Sequence, residues 1–403
     1  MKYSKEDIMQ YVQEEDVKFI RLTFCDVFGK QKNISIMPKE LPRAFAYGIA
    51  FDASAICGFG GETHSDLLLF PDADTLTPLP WRPEHGKVVR MFADIYCPDG
   101  TPFEGDTRRL LKQAASRAAE AGLAFDFGAE QEFYLFCLDE AGRPVKVPYD
   151  VASYMDLAPA DRGENIRREI CLTLERMGIS PESSHHEEGP GQNEIDFRYS
   201  DAVAAADNAM TFRTIVETVA RSNGLWADFS PKPLEDYPGN GFHINMSVKA
   251  GDGADCLAGM TAGILERIPE ITLFLNPARE SYSRFGGHKA PEYISWSREN
   301  RSQLVRIPAA VGEYRRAELR SPDPFANPYL AFSLLIYAGM YGIESQLELP
   351  PAADFNLYKA DKEKLKNFRR LPEDLEAARR RAYASDFVKN HVPEMILEAY
   401  CGK

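Results

Sequence analysis

The chain has 403 residues, of which 27% are charged and 44% hydrophobic, a composition typical of globular proteins with a sizeable core. Its formal net charge is −14 and its isoelectric point is about 5.1. This acidity argues against a nucleic acid or an anionic membrane as the main partner, because both carry negative charge.

The first predicted element is a polar amphipathic helix over residues 4–15, with Ser4 as its N-cap, where a signal peptide would have an apolar segment. Seven cysteines are scattered without a CxxC pair, which indicates the reduced thiols of an intracellular protein. No stretch approaches the roughly 18 apolar residues of a membrane span. We therefore expect a cytoplasmic protein.

The N-terminal region alternates strands and turns. Strands are predicted over residues 17–24 and 88–96, and a loop of small residues over 51–59. A turn cluster at 98–105 ends this region. We expect one domain over residues 1–103 and a second over 104–403.

Longer helices alternate with strands after this boundary. The predicted helices span 106–122, 162–178, 200–223, 254–267 and 329–344, with two more between 372 and 400. The predicted strands span 127–136, 193–199, 241–248 and 315–320.

The strand at 127–136 carries two carboxylates on one face. Residues two apart point to the same side of a strand, so Glu130 and Glu132 are expected about 7 Å apart along it. Two such charges repel unless a cation lies between them, and a divalent cation that prefers oxygen ligands is a common solution. Taken alone, the pair fits a solvated strand face equally well.

The other three strands repeat this pattern of a polar face backed by apolar residues. The polar faces hold Glu194, Asp196 and Arg198; His243, Asn245 and Ser247; and Arg316, Glu318 and Arg320. One such strand is ordinary, since an antiparallel sheet can face water. Four together predict a concave sheet whose charges line one cavity.

The acidic, imidazole and guanidinium side chains of this region suit a site that binds a polyphosphate. Candidate ligands for two or more Mg²⁺ or Mn²⁺ ions are Glu130, Glu132, Glu187, Glu194, His243 and Glu318. Candidate partners for phosphate and carboxylate groups are Arg284, Arg301, Arg306, Arg316 and Arg320. Any one of these arginines, taken alone, is more typical of a surface ion pair than of an anion-binding site.

At residues 185–199, HHEEGPGQNEIDFRY, the sequence resembles the glutamine synthetase family. Further matches follow in family order over nearly the whole chain, in the spacing of the bacterial type I enzymes: FDASAICGF at 51–59, PDGTPFEGD at 98–106, GAEQEF at 128–133, SPKPL at 230–234, GNGFHINMS at 239–247, NPARESYSRF at 276–285, NRSQLVRIP at 300–308 and RRAELRSPDPFANPYLA at 315–331.

This resemblance implies an α+β protein with an N-terminal β-grasp domain and a catalytic domain built on a curved antiparallel sheet backed by helices. It also implies a double-ring dodecamer with active sites shared between subunits. The implied reaction joins ammonia to the γ-carboxylate of L-glutamate through γ-glutamyl phosphate, with ATP as co-substrate and Mg²⁺ or Mn²⁺ as cofactor.

The resemblance also assigns roles to residues. Glu132, Glu187 and Glu194 match ligands of the metal at the glutamate, and Glu130, His243 and Glu318 match ligands of the metal at the ATP phosphates. Gly239, Arg284 and Arg320 match glutamate-binding residues. The remaining candidates are Asn245, Ser247, Arg301, Arg306 and Arg316 at ATP, and Asp52, donated by a neighbouring subunit, as the group that deprotonates ammonium.

The sequence departs from the family pattern at the amine end of the site. Lys289 stands where the family flap carries a glutamate, and Glu292 follows three residues later as a possible substitute. Pro238 stands where the glutamate loop usually has Asn. These departures leave two alternatives open: a γ-glutamyl ligase for another amine, such as methylamine, ethanolamine or a polyamine, and a catalytically silent structural or regulatory relative. The segment around Tyr358 resembles the adenylylated motif only in part, so we expect no adenylylation.

Overall fold

The computed structural model describes residues 3–61, 63, 65–82, 85–287, 289–310 and 312–402. The α-helices are α1 Lys5–Glu14, α2 Leu41–Tyr47, α3 Thr107–Glu120, α4 Glu164–Arg176, α5 Ala202–Ser222, α6 Leu257–Leu275, α7 Arg279–Tyr282, α8 Pro328–Glu344, α9 Lys362–Leu365, α10 Leu375–Ala384, α11 Asp386–His391 and α12 Glu394–Cys401. The strands are β1 Val17–Cys25, β2 Gln31–Ile36, β3 Ile49–Asp52, β4 Asp66–Pro71, β5 Thr77–Pro78, β6 Lys87–Tyr96, β7 Leu123–Leu138, β8 Pro144–Pro148, β9 Pro181–His186, β10 Gln192–Phe197, β11 Ser200–Asp201, β12 Leu225–Asp228, β13 Phe242–Ala250, β14 Trp296–Ser297, β15 Val305–Arg306 and β16 Ala317–Leu319.

Most predicted elements are confirmed, and two differ for identifiable reasons. Ser4 caps α1 in a capping box with Asp7. The prediction of two helices after residue 372 was wrong, because Ser385 ends α10 and its hydroxyl accepts the Val388 N–H, which starts α11. Helix α6 continues through Pro269 to Leu275 and does not end at residue 267, as the sequence pattern predicted.

The chain divides into two compact units. Unit 1 comprises residues 1–110, 176–178 and 393–403, and unit 2 comprises 111–175 and 179–392. Unit 1 contains a sheet of order β2-β1-β6-β4-β3, in which β1 and β6 are parallel and the other neighbours antiparallel. The predicted domain boundary after residue 103 stays a prediction.

Unit 2 is built on a sheet of order β14-β15-β16-β13-β7-β10-β9, antiparallel except for the short β14–β15 pair. The long strand β7 is central, because β8, β11 and β12 also pair with it. Its register places Glu194 opposite Glu132, and both Asp196 and His243 opposite Glu130. The polar faces predicted from alternation therefore meet on one side of the sheet.

Helices back the apolar side of this sheet. Phe127 of β7 stacks on Phe332 of α8 with ring centroids 4.4 Å apart, and Ile195, Ile244 and Leu319 are fully buried on the neighbouring strands. This layer of apolar contacts holds the polar side chains of the same strands toward the opposite face. Within the described ranges, no helix has the length and apolar content that crossing a bilayer requires.

Candidate active site

A cavity of 760 Å³ lies on the polar face of the unit 2 sheet. The acids and imidazole predicted as metal ligands line it, apart from Glu318, together with the five predicted arginines. Three of the predicted metal ligands in the lining are nearly inaccessible to solvent, with exposed fractions of 9% for Glu132, 8% for Glu194 and 7% for His243. The cavity thus combines buried negative charge with guanidinium groups.

Glu130 has a partner on each of its two carboxylate oxygens. Its Oε1 accepts a 2.7 Å hydrogen bond from Asn245 Nδ2, and its Oε2 lies 3.3 Å from His243 Nδ1. Burial raises the pKa of Glu130, but the contacts with His243 and Asn245 outweigh burial and lower it to about 2. This carboxylate is therefore ionised and oriented by strand β13.

Glu132 is held from the opposite side of the cavity floor. Its Oε2 accepts hydrogen bonds of 2.9 Å from both Gln192 Nε2 and the Gly241 backbone N–H. Its other oxygen lies 3.8 Å from His243 Nε2. Burial raises the pKa of Glu132, and the nearby charge of Glu187 adds to that effect. One oxygen is thus fixed in place while the other remains available to a ligand.

Glu194 and Asp196 are buried acids with other carboxylates nearby. Burial, followed by the charge of Asp196, raises the pKa of Glu194 well above its usual range. Burial, followed by the charge of Glu130, raises the pKa of Asp196 to about 7. Among the described residues, Asp196 Oδ1 is a buried atom that has no hydrogen-bond partner. These groups are short of positive charge.

Glu187 reaches the cavity from the end of β9, where a buried histidine holds the backbone. His186 is fully buried, with Nε2 2.8 Å from Asp150 Oδ1 and Nδ1 2.7 Å from the Glu187 carbonyl oxygen. The preceding His185 turns to the cavity, with Nε2 2.9 Å from Glu187 Oε1 and 3.7 Å from Glu194 Oε1. The alternation along β9 therefore separates a structural histidine from a cavity histidine.

The arginines differ in how firmly they are held. Glu318 is fully buried and accepts two contacts of 2.5 Å from Arg306, through Nε and a terminal nitrogen, and a further one from Arg320. Arg284 donates to the Ser321 carbonyl oxygen at 3.0 Å and lies 3.8 Å from Asp323. These three guanidinium groups are fixed, whereas Arg301 is exposed at the cavity wall.

Two further predicted residues lie in an adjoining cavity of 150 Å³. Asn245 and Ser247 line this second cavity, and Glu130 and Arg316 border both cavities. Arg316 Nε donates to Asn245 Oδ1 at 2.9 Å. The candidate nucleotide residues of β13 therefore flank the main cavity.

The loop that carries Pro238 and Gly239 closes one side of the main cavity. The Pro238 carbonyl oxygen accepts a 2.6 Å hydrogen bond from Tyr134, and the Gly239 carbonyl accepts from Gln192 at 3.2 Å. A Cβ on Gly239 would lie 2.3 Å from the Pro231 carbonyl oxygen and 2.7 Å from Arg284 Cγ. Only glycine fits this approach of loop to arginine.

Lys289 lines the cavity and does not point away into solvent. Its Nζ lies 2.5 Å from Glu188 Oε1 and 4.8 Å from the centre of the Tyr154 ring. Glu292, considered as a substitute for the flap glutamate, instead pairs with Arg370 in a separate cavity. The structure therefore places a cation, and not the Glu292 carboxylate, at this edge of the site.

Asp52 and Tyr358 also lie outside the cavity lining. Asp52 ends β3 in unit 1, where its exposed side chain accepts a 2.9 Å hydrogen bond from the Ser54 N–H. The Ser54 hydroxyl and N–H hold the pKa of Asp52 below its usual range. The hydroxyl oxygen of Tyr358 is buried, and the expected lack of adenylylation stays a prediction.

Family models match almost the whole chain. The glutamine synthetase catalytic domain matches residues 104–402, and the glutamine synthetase beta-grasp domain matches residues 16–98. The chain belongs to the glutamine synthetase family. Its members include a glutamine synthetase of Clostridium saccharobutylicum, 46% identical over 89% of this chain and 84% of its own length, and one of Methanosarcina mazei, 42% identical over 99% and 93%.

Solved structures agree with this membership. A complex of GmaS, a γ-glutamylmethylamide synthetase, with ADP superposes with a TM-score of 0.89 at 28% identity. The superposition covers 98% of this chain and 94% of that one. Plasmodium falciparum glutamine synthetase shares the fold, with a TM-score of 0.87 at 21% identity over 100% and 95%. As a member of the glutamine synthetase family, the protein is an α+β ligase that forms a carbon–nitrogen bond.

The cavity fits the divalent metal that the glutamine synthetase family uses. Two groups have donor atoms within 4.8 Å of one another, namely Glu130 with Glu194 and His243, and His185 with Glu187 and Glu194. Carboxylate oxygens with few imidazoles suit a hard cation such as Mg²⁺ or Mn²⁺. The unpartnered Asp196 oxygen and the raised acid pKa values agree with a missing positive charge.

The metal-free protein should become less stable as pH rises from 6 to 8. Asp196, with a folded pKa of about 7, holds a proton that the unfolded chain has lost above about pH 4, so ionisation opposes the folded state. For Asp196 alone we expect a loss of about 1 kcal/mol across this range. Thermal unfolding in EDTA at both pH values measures it. With saturating Mn²⁺ the trend should reverse, because metal binding needs ionised carboxylates.

Sequence reasoning missed two cavity residues. His185 was not selected because the residues that alternate with it on β9, Ser184 and His186, are polar and give no amphipathic signal. Gln192, which donates to Glu132, lies at the start of β10, before the predicted strand. The spacing could have identified His185, since it lies two residues before Glu187 and residues two apart share a strand face.

Proposed function

We propose that the protein ligates ammonia to the γ-carboxylate of L-glutamate, using ATP and a divalent metal. The observation that carries this proposal is the convergence of buried acids and fixed arginines on one cavity of 760 Å³. A carboxylate and a triphosphate are both anions, and they can approach only where metals and guanidinium groups neutralise their charge.

The proposed metal ligands are the six residues predicted from the sequence. Glu132, Glu187 and Glu194 would hold a metal at the glutamate carboxylate, and Glu130, His243 and Glu318 one at the ATP phosphates. The shared position of Glu194 in both donor groups supports two neighbouring metals with His185 at the first. When bound, the metals supply Lewis-acid stabilisation of phosphoryl oxygens.

The arginines would bind and orient the two anionic substrates. Arg284, packed against Gly239, would hold the glutamate α-carboxylate. Arg320, anchored by Glu318, would face the γ-carboxylate. The exposed Arg301 and the flanking Arg306 and Arg316 would bind phosphates, with Asn245 and Ser247 toward the rest of the nucleotide.

The reaction would proceed in two displacements. A γ-carboxylate oxygen attacks the γ-phosphorus, the bond to the bridging oxygen breaks, and ADP leaves with that electron pair. The lone pair of the amine then attacks the acyl carbon, and the C–O bond to phosphate breaks, releasing phosphate. The surplus proton on nitrogen would pass to Asp52 of a neighbouring subunit.

Amines other than ammonia form a second class of candidate acceptor because of Lys289. Its ammonium group, paired with Glu188 at the cavity wall, stands where the family flap carries a glutamate, so the amine end of the site differs in charge from the family pattern. The likeness to GmaS over 98% of the chain also supports a γ-glutamyl ligase whose acceptor is an amine other than ammonia.

Phosphate release separates these functions. The full-length protein is incubated with glutamate, ATP and Mg²⁺ or Mn²⁺, with ammonium, methylamine, ethanolamine or a diamine added singly. We expect amine-dependent release, with ammonium the preferred acceptor if the main proposal holds. Preference for another amine would move the assignment to that acceptor. No release with any of them, while metal and nucleotide bind, would identify a catalytically silent relative.

The assembly and location of the protein follow from the same assignment. A double-ring dodecamer would bring Asp52 of one subunit to the cavity of the next. Sedimentation velocity on the full chain tests the assembly. We further propose a cytoplasmic location, on the basis of the scattered cysteines.

A further inference from the structure

Lys289 contacts an acid and an aromatic ring in the cavity wall, while 37% of its side chain stays exposed. The backbone at Lys289 has a φ of +62°, in the left-handed region that residues other than glycine adopt uncommonly. Its ammonium group contacts the Glu188 carboxylate and lies over the Tyr154 ring, at 2.5 and 4.8 Å. A carboxylate and an aromatic face together form a binding site for a small cation.

We propose that Lys289 occupies this cation site itself, so that the enzyme discriminates against positively charged acceptors and takes its amine as a neutral nucleophile. The side chain is tethered to the chain, so its occupancy of the site is intramolecular and does not depend on the concentration of a free cation. The kinetic prediction that follows from this inference rests on the ligase function proposed above, whereas the occupancy of the cation site does not.

The surrounding charges explain why the lysine stays charged. Burial lowers the pKa of Lys289, but the contact with Glu188 and the charge of Glu187 outweigh burial and raise it. A second cation entering between Glu188 and Tyr154 would have to displace the first or share one carboxylate with it. Neutral hydroxylamine meets neither obstacle, whereas ammonium and methylammonium meet both.

Thallium(I), a monovalent ion close to ammonium in size, tests the site directly. Crystals of the Mg²⁺-loaded protein are soaked in thallium(I), and anomalous density is compared between wild type, Lys289→Met and Lys289→Gly. We expect a peak between Glu188 and Tyr154 in both variants and none in wild type. The methionine keeps most of the side-chain length, and glycine accepts the positive φ without strain. A peak in wild type, or no peak in either variant, would overturn the inference.

Acceptor kinetics test the consequence. The ratio of kcat/KM for hydroxylamine to that for ammonium should fall at least tenfold in Lys289→Met. The control Lys366→Met removes a lysine paired with Glu363 at 2.6 Å on α9 and its C-cap, outside both cavities, and should leave the ratio unchanged. An unchanged ratio in Lys289→Met contradicts the inference. Absence of turnover with every acceptor would reject the ligase proposal, while the thallium result would still decide the cation site.

Discussion

Glu194→Gln should make the metal-free protein more stable and the metal-loaded protein nearly inactive. In wild type the Glu194 carboxylate is buried against Asp196, Glu132, Glu130 and Glu187, and their charges together with burial raise its pKa. Glutamine has the same shape without the charge, so it relieves repulsion between buried acids. We expect a gain of roughly 1–3 kcal/mol in EDTA, the range for an uncompensated buried polar group.

The sign of this stability difference should reverse when metal is added. A metal present at about 100 times its Kd stabilises the folded state by roughly 2.7 kcal/mol, and the variant loses a donor that both ligand groups share. Activity should fall more than about 100-fold, since loss of even an outer-shell partner of a metal costs 10–100-fold.

Thermal unfolding with EDTA and with Mn²⁺, plus phosphate release, measures both effects of Glu194→Gln. Glu217→Gln on α5, outside the cavity, is the matched control. Its difference in stability from wild type should be the same in EDTA and in Mn²⁺. A variant destabilised in EDTA as well as in Mn²⁺ would show that Glu194 has a structural role and would contradict a metal centre here.

The polar cavity was predictable because strand alternation is a local signal. Glu130 and Glu132 share a face through their spacing alone, and the buried apolar residues that alternate with them before and after this pair fix which face is buried. The same reasoning placed Glu194, Asp196 and His243, and the register of β7 with β10 and β13 brings all five together. No tertiary information was needed beyond the assumption that the strands are neighbours.

Residues whose environment is set by distant contacts could not be placed in this way. Glu292 has the right spacing to reach the site, yet Arg370, which is 78 residues away, holds it elsewhere. Alternation predicts the strand face of Glu318, but not that Arg306 and Arg320 hold its fully buried carboxylate. Its role as a metal ligand stays a prediction. The identity of such partners is a property of the folded chain.

The interface between α6 and α8 carries the largest expected stability effect. A Cβ on Gly342 would lie 2.1 Å from the Gly259 carbonyl oxygen and 2.6 Å from Gly263 Cα. A Cβ on Gly263 would lie 2.1 Å from the Ala338 carbonyl oxygen. The two helix backbones therefore touch at these glycines, and this contact seats the helical layer under the catalytic sheet.

Gly342→Ala should destabilise the protein by roughly 3 kcal/mol or more, at the upper end for overpacking, because a backbone atom cannot rotate away as a side chain can. Gly259→Ala on the same helix pair is the control. Its Cβ would meet Ile343 Cα at 3.4 Å, an ordinary contact, and alanine favours a helix by about 0.5–1 kcal/mol over glycine. In urea unfolding, the midpoint concentration should therefore fall for Gly342→Ala and rise for Gly259→Ala. A Gly342→Ala midpoint equal to that of wild type would mean that the helices can separate without loss, and that the sheet does not depend on their close packing.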